Sequence, residues 1–204
     1  MSMNLPIFEI EIVNDNCGID KISLVEFPAV DSNFLAFDKS EKKLLFAVEN
    51  EEKRMVTGVL ARCDYPIYRK DSEFGEYYIK FGEKVIKQMA EKMLKQNHQN
   101  DINIEHQENS DIEGVDMVEL FIKNSEKGIN PKGFEDISDG SLFATYKINN
   151  TKVWEAIKNG TFKGFSIEGL FDFEPEQREI EDDAELDEIL SLLEALYNKT
   201  HTKQ

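Results

Sequence analysis

The stretch GTFKGFSIEGLF, residues 160–171, holds a single serine, Ser166, among small and apolar neighbours. A serine hydroxyl attacks a carbonyl only when a nearby base removes its proton, and histidine is the side chain suited to that near neutral pH. The chain has three histidines. His98 falls in the polar cluster QNHQN and His201 in the terminal THTKQ, whereas His106 falls in the strand-like INIEHQ. Side chains alternate along a strand, so Ile102, Ile104 and His106 share one face there and Asn103, Glu105 and Gln107 the other. His106 is therefore expected to point with the apolar residues, toward a core or a cleft. The same alternation puts Gly164, Ser166 and Glu168 on one face of GFSIEG, with Phe165 and Ile167 opposite. Each segment also has a plainer reading. His106 fits a hydrogen-bonded core histidine, and Ser166 fits the polar face of a half-exposed strand.

Other chemistries find less support. The GxSxG elbow of α/β-hydrolases is absent, because the second glycine falls three residues after the serine. Cys17 and Cys63 lie in turn-like polar settings with no histidine close in sequence. They form no CxxC pair, so a reducing cytoplasm is the expected compartment. No HExxH or paired-ligand spacing suggests a metal, and no glycine-rich loop suggests a phosphate cofactor, so neither is expected. A Ser–His pair assembled across the fold is the economical route to covalent catalysis.

The elements that must position such a pair follow from periodicity. IFEIEIV alternates apolar and acidic residues as a half-buried strand does, and KISLVEFPAV reads as a second strand stopped by Pro28. Residues 31–54 look like a loosely structured connector. MVTGVLA begins a third strand, and DYPIYRKDSEFGEYYIKF reads as a turn and an aromatic hairpin. In GEKVIKQMAEKMLKQNHQN, Val85, Ile86, Met89, Met93 and Leu94 recur at helical spacing on one face. INIEHQ, VDMVELFI and SLFATYKI read as strands, and the polar run 123–141 between the last two as a flexible surface loop. NNTKVWEAIKNG is a short helix capped by Asn150 or Thr151, with Val153, Trp154 and Ile157 inside and Gly160 at its end. Residues 162–173 form the final strand. Helices do not alternate with strands, so the expected class is α+β, a mainly antiparallel sheet or barrel flanked by a few helices.

The chain has 204 residues, room for one domain with a full core. Its 24 Lys/Arg against 41 Asp/Glu leave a net charge of −17, which argues against phosphate-backbone and anionic-membrane partners. No apolar run reaches the roughly 20 residues of a membrane span, and the start lacks a secretory pattern. Residues 171–204 hold eleven Asp/Glu against three Lys/Arg. Leu186, Ile189, Leu190, Leu193 and Leu196 line one helical face there. The expected division is a β-rich domain, 1–173, and an acidic amphipathic tail, 174–204, that folds back, self-associates or meets a basic helical partner.

IEHQ, VDMVELFI, the long polar loop, SLFATYKI and VWEAIKNGTFKGFSIEGLF, in that order and spacing, resemble the XkdF-like serine proteases of tailed phages. Those belong with the prohead (capsid maturation) proteases, whose fold is similar to herpesvirus assemblin. GIDKISLVEFPAVDSNFLAF resembles what such proteins carry at their start, so the likeness spans Ile7 to Phe173. The resemblance implies Ser166 as nucleophile and His106 as base, with backbone N–H groups near Gly164 and Gly169 receiving the oxyanion. It also implies cleavage of scaffold and major capsid protein segments inside an assembling prohead, in the cytoplasm of a bacterial host. The acidic tail would then serve as a tether to scaffold or portal.

In ordinary prohead proteases the ISLVEFPA-like strand follows the serine and has a glutamate just before it. Here that strand comes first, as in a circular permutation, and the aligned residue is Lys21, which cannot accept an imidazole N–H. Asp20 is ranked first as the third member, serving if a bulge shifts the strand. Glu26, Glu119, Glu168 and a Ser–His dyad aided by water remain alternatives. The departure at Lys21 keeps a second reading open: a non-catalytic capsid-associated protein on a degenerate protease fold.

Overall fold

The computed structural model describes residues 5–14, 16–28, 46–50, 53–72 and 74–175. The acidic tail expected to be helical lies outside the described residues from 176 on, as does most of the 31–54 connector.

The eleven strands form three separate sheets, with no closed barrel among the described residues. In the first sheet, β1 (Ile7–Glu11) lies between β11 (Asp172–Pro175) and β6 (Gly75–Lys80), and β5 (Ile67–Asp71) flanks β6. The alternation in β1 holds, since Phe8 and Ile10 are buried while Glu9 and Glu11 are exposed. The second sheet has the order β10 (Gly164–Leu170), β2 (Gly18–Val25), β7 (Ile102–Ile104). The third has the order β3 (Phe46–Asn50), β4 (Met55–Ala61), β9 (Leu142–Ile148), β8 (Val115–Ile122). Pairing is antiparallel throughout except β1 with β6 and β2 with β7, so the α+β class expected from the sequence is observed.

The two helices form where the apolar spacing places them. Helix α1 (Glu83–Gln96) buries Val85, Ile86, Met89 and Met93 and ends at Asn97 in the left-handed conformation. Leu94, expected on the inner face, is 50% exposed. The helix turns about 100° per residue, and packing Met89 and Met93 leaves the position after Met93 outside. Helix α2 (Thr151–Lys158) is capped by Asn150, whose side chain accepts from the Lys152 and Val153 N–H groups, and it buries Val153, Trp154 and Ile157.

Three expectations are corrected. Part of the connector is strand β3, paired antiparallel with β4. The final strand is two strands: β10 stops at Leu170, and the chain changes sheet to become β11 beside β1. The 123–141 loop is anchored. Lys123 is 2% exposed, and its Nζ donates to the carbonyls of Phe134 (2.9 Å), Glu135 (3.3 Å) and Ile137 (2.5 Å), while Phe134 and Ile137 are themselves buried. Three carbonyls aimed at one ammonium hold the loop as a side-chain ring would. Lys123→Met, which fills the same space, is expected to lose about 2–4 kcal/mol of stability by stranding those acceptors. Urea denaturation would measure this, and a loss below 1 kcal/mol would mean that water replaces the ammonium.

Candidate active site

The second sheet carries the polar constellation. Across it Ser166, Ser23 and Asn103 stand in register, as Cα partners on β10, β2 and β7. Directly opposed residues point to one face, and all three are buried. The other face carries Phe165, Ile22, Leu24 and Ile102, each nearly inaccessible and part of the core. A strand burying apolar residues on one side and serine or asparagine on the other must provide polar partners for the second side. For Ser23 and Asn103, Glu168 and His106 provide them.

Glu168 follows Ser166 by two residues on the same face of β10 and is the Cα partner of Lys21. Its Oε1 accepts from Ser23 Oγ (2.6 Å) and Asn103 Nδ2 (2.6 Å), and it lies 3.1 Å from His106 Nδ1. Ser23 Oγ is 3.0 Å from the same ring nitrogen and also hydrogen-bonds Asn103 Oδ1. Burial alone would raise the Glu168 carboxyl, but the bonds from Ser23, Asn103 and His106 outweigh it and hold the group below the usual carboxylate range.

His106 reaches this cluster by leaving the strand. β7 ends at Ile104, and Glu105 and His106 both adopt left-handed backbone conformations, with φ of 52° and 56°. Neither is glycine or asparagine, so two successive residues of this kind are costly, on the order of 1–2 kcal/mol each. The turn is held from both ends: Glu105 N–H donates to Leu24 O, and Glu105 Oε1 accepts from Glu26 N–H at 2.6 Å. His106 thus does not share the apolar face of Ile102 and Ile104. Its side chain is 40% exposed and folds over the polar row.

The proton inventory fixes the tautomer. An ionised carboxylate only accepts, and Ser23 has one hydrogen for two oxygen acceptors, Glu168 and Asn103. Nδ1 faces Glu168 and Ser23, so it carries the imidazole proton and leaves Nε2 with the free lone pair. The arrangement therefore presents a base at Nε2, oriented and electrostatically supported from Nδ1.

The residues singled out from the sequence divide as follows. No hydrogen bond joins Ser166 to His106, and their strands are not neighbours, because β2 lies between β10 and β7. Ser166 is 8% exposed and sits one strand from Ser23, on the histidine's face. The expected bulge exists, since the register slips so that Glu168 opposes Lys21 and Gly169 opposes Ile19. Asp20 is the extra residue there, yet it is exposed and its side chain forms no hydrogen bond among the described residues. The carboxylate at the imidazole is Glu168. Glu26 pairs with Lys163, and Glu119 accepts from Thr145 in the third sheet. Burial, followed by the neighbouring Asp64, pushes the Cys63 thiol up to about 12, which leaves it no nucleophilic thiolate.

Two partners were not read from the sequence, Ser23 and Asn103. Each is a polar residue inside a β-branched run, ISLV and INI, and such a residue on a buried strand is a signal of a polar network.

Among known proteins, residues 42–174 match the family model described as "Putative phage serine protease XkdF". The matched segment contains His106, Ser166, Glu168 and Asn103, while β2 with Ser23 and Lys21 precedes it. No curated protein and no solved structure matches the chain significantly.

Proposed function

The chain belongs to the XkdF family of phage serine proteases, and on that premise we propose a serine endopeptidase with Ser166 as nucleophile, His106 as general base and Glu168 as its orienting carboxylate. The observation that carries this reading is the 3.1 Å contact between His106 Nδ1 and Glu168 Oε1, made from the strand and the face that hold Ser166. In the reaction, Nε2 takes the Ser166 proton as Oγ attacks the peptide carbonyl. Glu168 stabilises the imidazolium so formed, and the proton then passes to the leaving amine. Water attacks the acyl-enzyme by the same route in reverse. The substrates are scaffold and capsid-protein segments of a tailed phage, cleaved in the assembling prohead.

Ser23 gives a second reading, because its hydroxyl lies 3.0 Å from the same imidazole. It is 0% exposed, however, and it meets Nδ1, the nitrogen committed to Glu168. A peptide carbonyl reaches it only if Asn103 and Glu168 give way. Ser23 is better suited to positioning the carboxylate and the ring.

A fluorophosphonate probe followed by peptide mapping separates the two. The adduct is expected on Ser166 and to vanish in His106→Ala. An adduct on Ser23 would move the nucleophile to β2, and a wild-type protein that neither labels nor cleaves would remove the protease reading.

A further inference from the structure

The strand that carries Ser166 ends its sheet, and a cleft of about 510 Å³ runs along it, between the Ile167–Leu170 stretch and the first sheet. Its walls combine aliphatic and aromatic side chains, among them Ile10, Tyr77, Ile79 and Phe81, with the carboxylate of Glu168 at one side. One cation stands among them. Arg69 on β5 is the cross-strand partner of Tyr77, and it lines both this cleft and a small adjoining cavity bounded by Phe165, Ser166 and Ile167.

The guanidinium has five N–H donors. Only Nη1 is used within the protein, toward the carbonyl of Tyr68 at 3.0 Å, and no carboxylate pairs with Arg69 among the described residues. This is unexpected in a chain with 41 acidic residues, where a partner was easily supplied. Burial pulls the arginine below its ordinary pKa, the sign of a desolvated and uncompensated charge. A half-buried guanidinium with open donors, set among aliphatic and aromatic side chains, is a receptor for a planar anion, and a carboxylate satisfies it in bidentate fashion.

We propose that Arg69 is a specificity determinant that binds an Asp or Glu side chain of the substrate within about two residues of the scissile bond, the peptide lying extended along the free edge of β10. The position follows from the shared wall, since Arg69 and Ser166 both line the small cavity, together with Leu60, Ile67, Phe81, Phe165 and Ile167. The apolar surroundings strengthen the pair by excluding water. They also make a neutral residue at that position costly, because it would leave the donors buried and unpaired.

This inference rests on the protease reading, and its test separates the two. Wild-type protein, Arg69→Gln, Arg69→Glu and Ser166→Ala are each incubated with a chymotryptic peptide digest of a bacterial lysate, and new termini are mapped by mass spectrometry. Wild-type sites are expected to be enriched in Asp or Glu at one fixed position near the cut. Arg69→Gln should lower the ratio of acidic to non-acidic cleavage at least about tenfold, and Arg69→Glu should shift the preference to Lys or Arg. That gain of a new preference is not something a merely misfolded variant produces. Wild-type cleavage without acidic enrichment, or enrichment unchanged in Arg69→Gln, overturns the proposal and leaves the protease standing. Wild-type cleavage no greater than that of Ser166→Ala overturns both.

Discussion

Ser166→Ala is expected to lower peptide cleavage on the order of 10⁴–10⁶-fold with little change in stability. Both halves follow from the setting of the side chain. Its hydroxyl forms no hydrogen bond among the described residues although the residue is only 8% exposed. Removing it therefore strands no partner, and the stability change should stay within about 1 kcal/mol. Ser23→Ala should behave in the opposite way. That hydroxyl bonds Asn103 and Glu168 and touches His106, so its loss leaves buried groups unpaired, lowers stability and loosens the base. Activity should fall only about 10–100-fold, the scale of a misplaced but present catalytic group. Cleavage of a co-expressed phage scaffold protein, read beside thermal melts, tests the contrast. Wild-type rates in Ser166→Ala would end the assignment.

Much of the frame was legible because local signals and the fold agree. VDMVELFI is β8, and the cap at Asn150 and the inner face of α2 follow from NNTKVWEAIK. What failed were places where tertiary contacts override the local pattern. Little in INIEHQ announces that the strand stops at Ile104, since glutamate is a poor candidate for left-handed backbone. The turn exists because Leu24 on the neighbouring strand and Glu26 just beyond its end hold Glu105. Continuing the two-residue period through it sent His106 to the wrong face.

The carboxylate beside the imidazole was obscured for a related reason. The resemblance implies an acid at the position of Lys21, and its absence there pointed along the same strand to Asp20. In the fold, position 21 faces Glu168 directly across the β2–β10 ladder. An acid on either strand delivers a carboxylate to nearly the same place, and cross-strand exchange of this kind is invisible until the register is known. Lys21 is instead drawn away to Asp111, at 2.7 Å.

Glu168→Gln is accordingly expected to cost on the order of 10³–10⁴ in kcat, far more than removal of Asp20. The substitution keeps size and shape but replaces an acceptor-only group with one that also donates. If the new amide turns its NH₂ toward His106, Nδ1 must accept and the proton moves to Nε2, which silences the base. If it turns its oxygen there, the imidazolium formed during attack loses its counter-charge. Acid should reveal the same group in the stability of the wild type. The folded-state pKa of Glu168 is depressed, so its contribution is fully present above the ordinary carboxylate value, about 4.3, and is lost as pH falls through the lower folded value. The part of the stability gap between wild type and Glu168→Gln that comes from this carboxylate should then narrow below about pH 4. Paired urea titrations on either side of that pH, with kcat measured at pH 7, decide the matter. A Glu168→Gln enzyme within tenfold of wild type, beside an inactive Asp20→Asn, would return the orienting role to the bulge.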